Sequence, residues 1–375
     1  MRDTHRSFFR IVLPAAVLLA ILVVGAPANA QAVLKVSDTV NFKFGMLLQA
    51  WADWQQLAGS DGTLLGYQQN LFIRRARFLF AGQLAKDVSF FLDTENANLG
   101  KAASPSTTKA LGTGFQLLDF YGEWKIATEF QLQGGLILIP LCRNCNESAA
   151  SQLSLDYGSY SFQENGVTTS TIGRDTGFQV KGYVLDGRLE YRAGAYQGAR
   201  QTAQSKNAFR FAARLAYNFF EKEQVQFYPG TYLAAKKVLA LGTSYDTQMK
   251  YAAYAFDGFL NLPMGKNALT TEIDFINYNG STTFPTLVKQ NDLFIVAGYY
   301  FGGPKLLPFA RYEQLKFVPT ASQTGNQKRF QGGLTYYPFG QNYNLRFAYS
   351  YVKLPNNSKT HATNEYTIQM QVFYF

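Results

Sequence analysis

From Val40 onward, apolar and polar residues take turns along the chain. Val40, Phe42, Phe44, Met46, Leu48, Ala50, Ala52 and Trp54 fall on even positions, and Asn41, Lys43, Gln49, Asp53 and Gln55 on odd ones. Leu47 and Trp51 are the exceptions on the odd side. A period of two over about 15 residues predicts a long β-strand with one apolar and one polar face. Globular strands average only about 5–6 residues, whereas a tilted strand crossing a bilayer needs about ten.

The pattern recurs. Phe209, Phe211, Ala213, Leu215, Tyr217 and Phe219 oppose Arg210, Arg214 and Asn218, and Leu345, Phe347, Tyr349 and Tyr351 oppose Asn344, Arg346 and Ser350. In the last segment Tyr366, Ile368, Met370, Val372 and Tyr374 oppose Glu365, Thr367, Gln369 and Gln371, while Phe373 and the C-terminal Phe375 fall on the polar side. About sixteen such segments are expected: 39–55, 69–84, 87–97, 114–125, 128–139, 174–184, 187–197, 207–219, 237–246, 249–260, 267–279, 290–301, 304–316, 327–338, 342–353 and 364–375. Short links fall at Ala85-Lys86, Ala127, Asp186, near Thr247, at Gly302-Gly303 and near Gly340. Longer ones fall at 56–68, 98–113, 140–173, 198–206, 261–266, 280–289, 317–326 and 354–363, and 220–236 is long where a short turn is due. Alternating short and long links are the turn-and-loop asymmetry of an outer-membrane barrel.

Alternation alone does not say which face is outside. In water the apolar face would pack on a core; in lipid it would meet hydrocarbon and the polar face would line a lumen. The N-terminus favours lipid. Arg2, Arg6 and Arg10 precede an apolar run, Ile11–Val24, that is closed by Ala28-Asn29-Ala30. That is the layout of a secretory signal cleaved after Ala30, since an apolar run of this length is shorter than the roughly 20 residues a spanning helix needs. Residues 1–30 are therefore expected to leave and 31–375 to form one barrel. Aromatics reach 16% of the chain, with 24 Tyr and 32 Phe, which suits membrane girdles. The fold class expected is all-β: a transmembrane antiparallel β-barrel, placed in the bacterial outer membrane. At sixteen strands such a barrel is too wide for side chains to fill and leaves an aqueous channel. Its partners would be the outer-membrane lipid bilayer and small hydrophilic solutes; nucleic acid makes no sense for an exported barrel.

Several of these runs resemble the phosphate-selective porin O and P family: Asn70–Phe78, Gly173–Phe178, Leu189–Gly198, Tyr232–Asp246, Pro308–Glu313 and Gly332–Gly340. The resemblance extends over most of residues 31–375. It implies a sixteen-stranded homotrimeric porin with a long third loop folded into the lumen. It also implies stacked arginines and lysines in the constriction if phosphate is selected. The corresponding loop, 140–173, carries Arg143 with Glu147, Asp156 and Glu164 against it, which does not fit that implication.

Charge then decides what the channel would prefer. The net charge is +10; residues 1–30 carry three arginines against Asp3, leaving about +8 on the remainder. Strand phase turns Arg75, Arg77, Lys181, Arg188, Arg192, Arg210, Arg214, Arg311, Arg329 and Arg346 toward the lumen, with Arg75, Arg77, Arg210 and Arg214 the first candidates for solute contact. Guanidinium forks suit phosphate and carboxylate, and rings of Arg or Lys suit anion pores. Asp93, Glu95, Asp119, Glu123, Glu190, Glu272, Asp274 and Glu313 share that face, so a mild anion preference is expected, against a neutralised wall as the alternative. Cys142-Arg-Asn-Cys145 is expected to form a short-loop disulfide in an oxidising compartment; a haem site would need His where Asn146 stands. No metal or other cofactor is expected: Asp257, Asn261 and Asp292 have no metal-loop spacing, and His361 is the one histidine beyond residue 30. Ser358, Lys359, Thr360 and Thr363 around His361 match no nucleophile motif, so no enzyme activity is expected. The competing reading is a structural barrel, a sheath or scaffold for a partner such as an electron-transfer conduit.

Overall fold

The computed structural model describes residues 32–59, 63–102, 108–160, 168, 170, 172–200, 208–318, 326–353 and 362–375. The segment read as a signal, 1–30, lies outside the described residues, as do Glu164, His361 and Ser358.

Sixteen antiparallel strands close a barrel, each paired with its neighbours in sequence. They are β2 (Asn41–Ala58), β3 (Leu64–Ala85), β4 (Val88–Leu99), β5 (Gln116–Lys125), β6 (Gln131–Leu138), β7 (Arg174–Val184), β8 (Leu189–Tyr196) and β9 (Arg210–Asn218) in the first half. The second half holds β10 (Val238–Gln248), β11 (Tyr251–Met264), β12 (Asn267–Asn279), β13 (Gln290–Tyr300), β14 (Leu306–Phe317), β15 (Gln327–Tyr336), β16 (Tyr343–Lys353) and β17 (Ala362–Tyr374). Closure runs from Glu365↔Gln55 to Tyr374↔Met46. All sixteen segments expected from alternation are present. A further short strand, β1 (Ala32–Lys35), was not expected; it pairs with Asn41–Phe44 of β2. β17 stops at Met46, and β1 covers the stretch of β2 edge left open beyond it. An uncovered edge would be a template for pairing with another chain.

Alternation settles the faces. Leu71 (80% exposed), Phe178 (70%), Phe256, Phe211, Leu241 and Phe347 point outward, while Gln49, Asp53, Arg210, Asp246, Glu313 and Gln369 are buried inside. An outer wall of large apolar side chains with polar groups inside inverts a soluble protein and suits hydrocarbon. Trp124, Phe130, Phe219, Phe220, Phe301 and Phe339 are exposed near one rim, and Tyr67, Phe115, Phe209 and Tyr351 near the other. These form the two aromatic girdles.

Link lengths follow the expected alternation with one correction. The connection between β10 and β11, at the long-loop end, is only Met249-Lys250, and β11 runs on to Met264 before a tight turn at Gly265-Lys266. The long link expected at 261–266 is therefore mostly strand. Gly265 takes φ +63° there, in the region glycine occupies without penalty. The 219–237 connection is long at the short-turn end, as its length in sequence indicated, because it folds inward.

Candidate functional site

Two connections enter the lumen from opposite ends. The third long loop, 139–173, is described over 139–160, and nearly all of that part is buried inside the barrel. Its first turn is a short 3-10 helix, Asn144–Asn146, and Cys142 and Cys145 are joined by a disulfide. Leu141, Cys142 and Cys145 pack against Tyr251, Ile276 and Tyr278 of the wall and against Phe284 and Leu287 of the 280–289 connection. The 219–237 connection comes from the other end and meets this loop: Glu147 and Tyr228 form a parallel bridge, Ser148 N–H donates to Tyr228 O at 2.9 Å and Thr231 N–H to Ser151 O at 3.1 Å.

Many lumen arginines hold this double insert in place. Arg311 donates to Asp156 O at 2.8 Å and Tyr157 O at 2.9 Å, and Arg346 donates to Ser154 O. Arg192 pairs with Glu190 and donates to Val225 O at 2.9 Å and Gln226 O at 3.0 Å. Arg214 takes Asp257 at 2.8 Å and Tyr228 Oη at 3.2 Å, and Arg210 takes Asp246 at 2.8 Å. Arg143 forms a bidentate pair with Glu223 at 2.8 and 2.9 Å, joining the two inserts. Burial lowers the Arg143 pKa, but Glu223 outweighs it and raises it above the ordinary guanidinium range. Main-chain carbonyls and matched carboxylates take most of these guanidinium donors, and all but Arg210, whose partner Asp246 is on the wall, serve as anchors of an insert.

One expected lumen residue is elsewhere. Arg188 lies in the 185–188 turn and donates to Asn218 O at 3.2 Å, Phe219 O at 3.0 Å and Phe220 O at 2.8 Å. A turn residue has no wall face, so strand phase misplaced it.

The inserts touch the β2–β7 wall as well, Lys181 donating to Gln226 at 2.8 Å and Gln49 to Ala149 O at 2.9 Å, but leave three voids along it. An upper void of about 510 Å³ at the long-loop end is lined by Arg74, Arg75, Lys101, Arg311 and Arg329, facing Glu95, Asp156 and Glu365. A waist of about 100 Å³ lies below it, with Arg77 and Arg174 facing Asp93 and Glu147 among aromatic side chains. A lower void of about 310 Å³ at the turn end holds Lys43 and Lys181 facing Glu123. Phe91 lines both waist and lower void. The Arg77–Glu95 pair, at 2.7 Å, joins waist to upper void.

Arg74 was invisible to strict alternation. The β2–β3 register shifts between Gln49/Ala50, pairing them with Arg75 and Ile73. This bulge leaves Arg74 unpaired in the ladder and turns it inward beside Arg75. Both guanidiniums then meet one carboxylate: Arg74 Nε donates to Asp156 at 2.9 Å and Arg75 Nη2 to Asp156 at 2.5 Å. Burial raises the Asp156 pKa, but Arg74 and then Arg75 overcome it and hold the carboxyl well below the usual range. Lys181 pairs with Glu123 at 2.7 Å, Arg329 with Glu365 and Arg174 with Asp119 at 3.0 Å.

No protein-family model and no curated protein matches the chain. Solved structures do. Salmonella typhi OmpF in complex with daunomycin shares 14% identity over 90% of this chain and 98% of its own, at TM-score 0.58. The outer-membrane channel DcaP of Acinetobacter baumannii shares 9% over 91% and 99%, also at 0.58. The chain has the porin barrel fold. An anion-selective porin from Comamonas acidovorans superposes comparably, at 10% identity over 89% of this chain and 99% of its own, with TM-score 0.56. A trimer form of the Vibrio cholerae outer-membrane protein OmpT does so at 0.56, with 11% identity over 90% and 100%.

Proposed function

We infer that this chain is an outer-membrane porin whose solutes pass along the β2–β7 wall, with a mild preference for anions. The observation that carries the reading is the charge of the path. Cations outnumber carboxylates in the upper and lower voids and equal them at the waist. At the waist, moreover, burial pushes the Glu147 carboxyl up to about 7. Positive excess in a narrow water-filled passage attracts anions and repels cations.

The resemblance to the phosphate-selective porin O and P family makes phosphate the first solute to try. The loop expected to carry a lysine cluster for it presents Asp156, Glu147 and Arg143 instead, each tied to a partner. Mild anion preference is therefore the reading, with phosphate as one permeant among others. The trimer form of the Vibrio cholerae protein supports a homotrimer here, and diffusion through such a channel involves no bond chemistry.

Reversal potential in a planar bilayer under a KCl gradient tests the reading. A potential of the sign given by chloride permeation is expected. A cation-selective potential would overturn the anion preference, and no conductance would overturn the channel. Phosphate added to the chloride solution should reduce chloride current if it enters the same path.

A further inference from the structure

Beside Arg77, Asp93, Glu147 and Arg174, the waist carries an apolar ring in a place where a water-filled lumen is ordinarily polar. Leu47 and Leu79 from β2 and β3, Phe91 from β4, Phe373 and Phe375 at the C-terminus, and Phe227 from the 219–237 insert line it. Phe91 is the hub: its ring centroid lies 5.7 Å from Phe227 and 5.9 Å from Phe375 and from Tyr121. Leu47, Phe373 and Phe375 are among the residues that broke the alternation in sequence, and all three follow strand phase into the lumen. Such exceptions mark places where a rule of folding yields to function.

Charge surrounds the apolar ring. Arg77 and Arg174 line the waist itself. Arg75 stands two residues up the same strand, about 7 Å away at the strand rise, in the upper void. There the guanidinium–aromatic pairing repeats: Arg74 lies 5.6 Å from the Trp51 ring and Arg75 5.2 Å from the Tyr157 ring. Both forks are already paired, Arg75 with Asp156 and Arg77 with Glu95 and Asp93, so a carboxylate head must exchange with a resident carboxylate at each step, beside an aromatic face. A small inorganic anion uses the fork and gains nothing from the rings. A cation is repelled by the fork, and an uncharged sugar accepts hydrogen bonds from it without the charge-assisted bidentate pairing of a carboxylate.

We propose that the β2–β7 path is a selective route for small ring-bearing carboxylates, whose head steps from Arg75 to Arg77 while the ring crosses the Phe91–Phe227–Phe375 waist. The proposal rests on the porin reading and sharpens its solute class. Apolar cavities of about 150 Å³ take a benzene ring, so a waist of about 100 Å³ admits one when a lining side chain turns aside. Phe227 is the side chain placed to do this, because it belongs to the insert and not to the hydrogen-bonded wall.

The test is block of chloride current through the mature protein in a planar bilayer, with sodium benzoate compared with sodium gluconate. Both carry one carboxylate; only benzoate carries an aromatic ring. Benzoate is expected to block at about tenfold lower concentration, which corresponds to about 1.4 kcal/mol, the size of one or two aromatic contacts. Phe227→Ser and Phe91→Ser should each bring the blocking concentrations of the two solutes close together, a ratio taken within each variant whatever chloride current it carries. Equal block by benzoate and gluconate in the unmodified channel would overturn the proposal, a comparison that needs no variant to fold. Benzoate block that persists undiminished in both variants would overturn it too. Absence of chloride current before any organic solute is added would overturn the porin reading itself.

Discussion

Glu147 and Tyr228 form a parallel bridge inside the barrel, one residue from the third loop and one from the 219–237 connection that enters from the opposite end. Tyr228 N–H donates to Asn146 O and Ser148 N–H to Tyr228 O, both at 2.9 Å. The free width of the lumen therefore depends on two inserts holding each other as well as on the wall.

Gly230 is where that docking is tightest. A Cβ there would lie 2.8 Å from Leu153 N and 2.9 Å from Gln152 Cα, and neither backbone atom can move aside cheaply. Gly230→Val should loosen the junction by about 1–3 kcal/mol, the usual cost of overpacking, while the wall ladder still forms. Single-channel conductance should rise and become noisier. Unchanged conductance would show that the junction does not set the width.

Glu147 gives the junction a pH dependence. Its carboxyl is buried among Glu272 and Asp274 of β12, with Arg143 of its own loop and Arg346 of β16 nearby. Burial raises its pKa from 4.5 to about 7. The unfolded or undocked state then loses its proton first, so the stabilisation is complete below about pH 4.5 and is lost as pH rises through about 7. Current fluctuations should be quieter near about pH 5.5 than near about pH 8. Glu147→Gln, neutral throughout, should flatten the difference. A profile unchanged by that substitution would assign the effect to another group.

The Arg143–Glu223 pair separates an anchor from a conducting charge. Both side chains are 1% exposed, and Arg143 also lies 3.6 Å from the Phe259 ring centroid. Removing one partner of a buried pair leaves an uncompensated charge and costs about 3–5 kcal/mol, whereas replacing both by apolar residues is often close to neutral. Arg143→Met should lower the melting temperature of the refolded barrel clearly, and the Arg143→Met/Glu223→Met double variant should recover much of it. Additive losses in the double variant would contradict the coupling.

The wall was legible because lipid outside and water inside impose a period of two on every strand, and all sixteen strands followed from that period. The inward arginines followed as well, apart from Arg188, which sits in a turn. Their division of labour did not follow. Arg192, Arg214, Arg311 and Arg346 hold the insert, and where an insert lies depends on contacts such as Arg346 to Ser154 O, between positions 192 residues apart. Arg74 was hidden by a bulge that no local pattern announces. Two signals were present in the sequence: the excess length of 220–236, and the apolar residues Leu47, Trp51, Phe373 and Phe375 on an otherwise polar face.

Selectivity should therefore follow position relative to the insert and not the total count of lumen arginines. Lys43 faces the lower void with its Nζ 4.3 Å from the Phe375 ring centroid, and no ion pair is formed by it among the described residues. Arg74 shares Asp156 with Arg75 in the upper void. One unit charge acting at about 4 Å in water is worth about 1 kcal/mol, so Lys43→Gln and Arg74→Gln should each reduce the chloride-to-potassium permeability ratio severalfold. The reduction should be larger in dilute salt, where screening is weaker. The buried pair Arg210–Asp246 is the control: replacing both, as Arg210→Met/Asp246→Leu, removes no net charge and none from the path. That double variant should keep the reversal potential of the unmodified channel. If it moved the potential as far as Lys43→Gln does, the path would have to run through the β9–β10 side, and its assignment to the β2–β7 side would fall.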